Sequence, residues 1–125
     1  MRLFRRQASD PLESLRGFSS GLETALFLVD RNGTVVFANE RAKALFGFEE
    51  MEGRTILAVT LSHEIERIVR QTSESGTPIT QELNLRTSGD LVAIARAWPN
   101  PADARQVFLS LRDVTEVRRL ERVRQ

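Results

Sequence analysis

Two hydrophobic periods alternate along the chain. Ala25-Leu26-Phe27-Leu28-Val29 is a short apolar run that meets Asp30-Arg31-Asn32-Gly33, and Thr34-Val35-Val36-Phe37-Ala38 follows at once. Two β-rich runs around an Asn-Gly pair predict a hairpin. Gln81 to Arg86 alternates, with Leu83 and Leu85 on one face. Leu91 to Trp98 puts Ala93, Ala95 and Ala97 on one face, and Gln106 to Arg112 does the same with Val107, Leu109 and Leu111. Period-two patterning predicts three more strands. Thr87-Ser88-Gly89-Asp90 reads as the first turn between them, and Pro99 to Asp103 as a loop.

The segments between follow the helical period. Asp10-Pro11-Leu12-Glu13 combines a capping acid, a proline at the first helical position and a glutamate three residues after the cap. With Leu12, Leu15 and Leu22 it predicts a short amphipathic helix, preceded by a basic linker, Arg2 to Ser9. Asn39 caps a helix through Phe46 that Gly47 ends. Glu49 to Val59 is mixed, is interrupted by Gly53 and holds a short helical turn. Ser62 caps a longer helix, His63 to Ser75, with Ile65, Ile68 and Val69 as its apolar stripe, and Gly76 and Pro78 stop it. Asp113 and Glu116 have capping-box spacing at the head of a charged terminal helix. The order is helix, two strands, helices, three strands, helix. Strands grouped at both ends of a helical middle predict an α+β fold on an antiparallel sheet.

Composition narrows the chemistry. The chain has 125 residues, room for one domain with a modest core. Eighteen basic residues oppose seventeen acidic ones, which removes the electrostatic case for nucleic acid or an anionic membrane. There is no cysteine, so disulfides, thiolate catalysis and cysteine-ligated zinc are excluded. No apolar run approaches the roughly 18 residues of a membrane span. MRLFRRQASD lacks the apolar core of a signal peptide. These features predict a cytoplasmic segment, and a membrane anchor preceding Met1 in a longer parent is compatible with them.

Several short motifs then fall into one order. Phe27-Leu28-Val29-Asp30, Asn32-Gly33 and Val35-Val36-Phe37-Ala38-Asn39 resemble the opening of the PAS domain, where an Asp-x-x-Gly hairpin leads to an Asn that caps the next helix. Ala44-Leu45-Phe46-Gly47 resembles the end of that helix, and Glu52-Gly53-Arg54 the entry to the middle helices. Asp113-Val114-Thr115-Glu116 resembles the exit motif, where the last strand hands over to a signalling helix. The match spans Leu22 to Glu116. It implies a five-stranded antiparallel sheet with helices packed on one face, flanked by an N-terminal helix and a C-terminal signalling helix. Residues 1–9 are then a linker or disordered, 10–113 the PAS domain with its N-terminal helix, and 114–125 the start of a coiled-coil signalling linker.

The tail VTEVRRLERVRQ is similar to the joint between a PAS domain and the dimerisation helix of PhoR-like sensor histidine kinases. Val117 and Leu120 fit heptad a and d positions, and so short a segment is marginal alone. The resemblance therefore implies a sensory and dimerisation module of a bacterial two-component protein. It would be a homodimer, without catalysis of its own, relaying a conformational bias through Asp113, Val114 and Thr115 to an output domain in the same polypeptide. A diguanylate cyclase or a transcriptional regulator can follow the same exit motif. A haem or flavin redox sensor is the alternative of another class.

His63, the only histidine, tests two of these readings. Leu61-Ser62-His63-Glu64 looks like a kinase phosphoacceptor box, but Ile65-Glu66-Arg67-Ile68 replaces the Leu-Arg-Thr-Pro continuation, and the kinking proline is missing. Haem-binding PAS domains take their proximal histidine from this same helix. His63, however, stands about 200° around the helix from Ile65, so a core-facing Ile65 turns it outward. No cofactor is expected. Phe27, Val29, Leu83, Leu85, Ala93, Ala95, Val107 and Leu109 could line the inner sheet face. The alanines there either leave room for a small apolar ligand or let a helix pack close, and dense natural cores favour the second.

Overall fold

Asn39 joins the first two strands to the first helix. β1 (Ala25–Val29) and β2 (Val35–Ala38) form a hairpin, closed by Asp30, whose Oδ1 accepts from the backbone N–H of Asn32 and of Thr34 (2.9 and 3.0 Å). Gly33 supplies the positive φ, 82°, that this turn needs. The Asn39 side chain then caps α1 (Glu40–Phe46) by accepting from the Ala42 N–H at 2.9 Å. The same oxygen accepts from the Leu26 N–H at 3.0 Å, and Asn39 Nδ2 donates to the Thr24 carbonyl at 3.0 Å. One buried amide thus ties the helix start to the first strand.

The computed structural model describes residues 24–87 and 89–124. α2 (Ile56–Thr60) is the short helix expected in the mixed segment, and α3 (His63–Ser75) runs from the Ser62 cap to Gly76. β3 (Ile79–Arg86), β4 (Asp90–Asn100) and β5 (Asp103–Asp113) follow, then α4 (Thr115–Arg124). The five strands are antiparallel neighbours in the order β2-β1-β5-β4-β3. The predicted amphipathic helix from Asp10 to Leu22 lies outside the described residues.

The two sheet faces carry different clusters. Phe27, Val29, Leu83, Leu85, Ala93, Ala95, Ala97, Val107, Leu109 and Leu111 point inward and meet Ile65, Ile68 and Val69 of α3, with Met51 and Ile56. Leu26, Leu28 and Phe37 alternate to the other face, beside Trp98 and Phe108, whose rings stack at 5.4 Å.

Three details depart from the sequence reading. β3 starts at Ile79, two residues before the alternation is clean. β4 continues through Pro99 and Asn100, so the expected loop shrinks to a tight turn. A register shift between Pro99 and Asn100 explains this, since a bulge tolerates a residue with no N–H to donate. The predicted capping box at α4 is not closed: Glu116 pairs with Arg119 at 3.0 Å.

Asn39→Ala removes a helix cap and strands the Leu26 N–H in the core. It should cost about 2–4 kcal/mol in urea unfolding. Asn39→Asp keeps both acceptor bonds and should cost about half as much. A loss under about 1 kcal/mol for the alanine variant would contradict this role for the amide.

Candidate functional site

The exit from β5 into α4 is where a sheet must become a helix without orphaning backbone groups. β4 and β5 pair as far as Ala93 opposite Asp113. One residue further, the Val114 N–H donates to the Val92 carbonyl at 2.8 Å. A continuing ladder would return a bond from the Val92 N–H to the Val114 carbonyl. That carbonyl is already engaged, because it accepts the first helical bond, from the Arg118 N–H at 2.9 Å. The Thr115 hydroxyl takes its place and accepts from the Val92 N–H at 2.9 Å. The Thr115 N–H, which has no partner within the helix, donates to Asp113 Oδ1 at 2.9 Å. Each of the three motif residues therefore fills one vacancy in the handover.

A fourth contact sits on the helix. Arg118 reaches β3 and bonds Glu82 through Nε (2.8 Å) and NH2 (2.6 Å). The two contacts converge on one carboxylate oxygen and raise the arginine above its ordinary pKa, with Glu121 adding at 3.2 Å. Val114 is buried, at 5% exposure, whereas Val117 and Leu120 are exposed at 46% and 58%. The first is thus joined to the sheet and the other two face away from it.

The eight residues predicted to line the inner face all lie in one buried cluster. Phe27 pairs with Leu109 and Val29 with Val107 across β1 and β5, and Leu83 faces Ala93 across β3 and β4. Ala93, Ala95 and Ala97 are all fully buried, and α3 packs on β4 and β5 over this region. His63 is exposed in the first turn of α3 while Ile65 is fully buried, as their angular separation requires. Among the described residues no group of three or more His, Cys, Asp or Glu could hold a metal ion, and no helix is long and apolar enough to cross a membrane.

The family model described as PAS fold matches residues 20–119. The chain belongs to the PAS family. Solved structures share its architecture at low identity. The PAS domain of nitrogen regulation protein NR(II) from Vibrio parahaemolyticus is 17% identical, with a TM-score of 0.66 over 79% of this chain and 96% of that one. A domain of a sensory box sensor histidine kinase/response regulator from Geobacter sulfurreducens is 16% identical, at TM-score 0.64 over 81% and 92%. The phage VqmA–DPO complex is 16% identical, at 0.73 over 96% of this chain and 61% of that one. No curated protein matches the sequence.

Sequence reasoning found Asp113, Val114 and Thr115 but missed their partner, Val92, and the Glu82–Arg118 pair. Nothing local marks Glu82, which stands 36 residues from Arg118 and is one more outward-facing polar residue on an alternating strand.

If the alanine face is filled by α3, Ala95→Leu should overpack it and cost about 1–3 kcal/mol in thermal or urea unfolding. An unchanged midpoint would mean that the sheet interior holds a void able to take the extra atoms.

Proposed function

We propose that this PAS domain is a sensory and dimerisation module of a bacterial two-component signalling protein, most specifically a sensor histidine kinase. Its role is regulatory, and its output domain belongs to the same polypeptide. The observation that carries the reading is the handover at Val92. The helix start is hydrogen-bonded to Val92 at the end of the β4–β5 ladder, so a shift of β4 against β5 changes the seat of α4 directly. Two arrangements of that seat differ in which groups satisfy Val92, and a signal acts by favouring one of them. The outward Val117 and Leu120 supply the a and d positions through which α4 pairs with its copy. The likeness to a domain of a sensor histidine kinase/response regulator supports the kinase assignment.

Thr115→Val tests this role while preserving shape. It leaves the Val92 N–H without its acceptor, which should cost about 1–3 kcal/mol. In the parent kinase, basal autophosphorylation should change by several-fold or more, with the PAS domain still folded. Wild-type signalling from a folded Thr115→Val protein would contradict the relay. The dimer is tested separately: Val117→Glu with Leu120→Glu should weaken self-association in sedimentation equilibrium and leave the unfolding midpoint in place.

A further inference from the structure

Leu61 stands where the chain otherwise uses glycine. The helices α1 and α3 end on Gly47 and Gly76, at φ 74° and 72°. α2 ends on Leu61 at φ 53° and ψ 31°, with its N–H donating to the Leu57 carbonyl at 2.8 Å. It is the one non-glycine residue with positive φ among the described residues. A side chain is disfavoured in this left-handed region, and leucine has no short polar group to compensate. Its side chain is also 81% exposed, so the strain secures no burial within the chain. A single exposed leucine is ordinary, but a backbone outlier that holds one in solvent calls for a ligand or partner.

A groove lies beside it. The end of α1, the end of α2 and the start of the β3–β4 turn border an open groove of about 430 Å³. Its apolar lining comes from Leu45, Phe46, Phe48 and Val59, with Leu61. Phe46 backs onto the core through Phe27, ring centroids 6.1 Å apart, so the floor is anchored. Among the described residues that line the groove, Arg86 is the only charged one. Its contact with Asp90 is loose, 3.8 Å between side chains each at least 90% exposed, and leaves the guanidinium able to turn toward a bound anion. This groove shares no residue with the inner sheet face, where the sequence placed its pocket.

We propose that the groove binds a small amphipathic organic anion, its apolar body against Phe48 and Leu61 and its single carboxylate on Arg86. One monoanionic group matches Arg86, and an apolar body matches the leucine and phenylalanine side chains beside it, with Thr60 and Thr87 at the polar edge. The bidentate geometry of arginine suits a carboxylate in particular. The site is independent of the relay proposed for α4, since binding is read on this chain alone, without any output domain.

The test is an amide NMR titration of the 125-residue chain with decanoate and, separately, decanol. Decanoate should shift the resonances of residues 45–48, 59–61 and 86–87 and bind at least tenfold more tightly than decanol. Arg86→Gln should remove most of that preference and leave decanol binding unchanged. Leu61→Gly should raise the thermal midpoint by relieving the left-handed leucine, yet weaken both ligands several-fold. That pairing separates a binding role from a structural one. Shifts confined to Leu26, Phe37, Trp98 and Phe108 would overturn the proposal, as would equal affinity for the two ligands, no binding at millimolar decanoate, or an Arg86→Gln chain that keeps the full preference.

Discussion

The fold turns on the backbone of Val92. It sits one pair beyond the last residues at which β4 and β5 run as a ladder, and both its polar groups still need partners. A strand that simply continued would satisfy them, but β5 gives way to a helix. The Val114 carbonyl cannot serve the sheet while it accepts from Arg118, and the Thr115 hydroxyl resolves the conflict. Asp113, by taking the Thr115 N–H, holds that hydroxyl in place. The motif is best read as three hydrogen-bond assignments, with the residue types following from them. An acid, an apolar residue that can be buried, and a hydroxyl suffice, in that order.

The rest of the domain makes this junction consequential. β4 lies in the sheet between β3 and β5, with alanines inward and Val92, Ile94, Arg96 and Trp98 alternating between them. α3 rests on β4 and β5, the strand pair that ends at the junction. Close packing leaves few ways to move one strand without moving its neighbours. In the proposed relay, a displacement originating on the helical side reaches α4 through this strand pair. The Glu82–Arg118 pair extends the contact to β3. At the surface such a pair adds little stability, so it orients the helix more than it holds it.

Much of this was legible in the sequence for a physical reason. Strands with one buried face alternate, and the inward set, Phe27 and Val29 through Val107 and Leu109, is visible in that alternation. Caps and stops are local too: Asn39, Ser62, Gly47 and Gly76 act on backbone groups within a few residues of themselves. What could not be read was whatever depends on register. Val92 becomes important because it faces Val114 across β4 and β5, and Glu82 because it comes beneath Arg118. The Pro99 bulge hid the last residues of β4, since proline reads as a strand end unless the ladder is known to shift there. Leu61 was opaque for the opposite reason. It departs from the local rule that helices end on glycine, and no pattern predicts an exception.

If α4 and the sheet share one hydrogen-bonded junction, they open as one unit. Native-state hydrogen exchange reads it most directly, by comparing the Val92 amide with the Arg118 amide in the first turn of α4. A single cooperative unit predicts equal opening free energies for the two, both lowered together in mild denaturant. An Arg118 amide that exchanges orders of magnitude faster than a protected Val92 amide would contradict it, because the helix would then fray independently of the sheet.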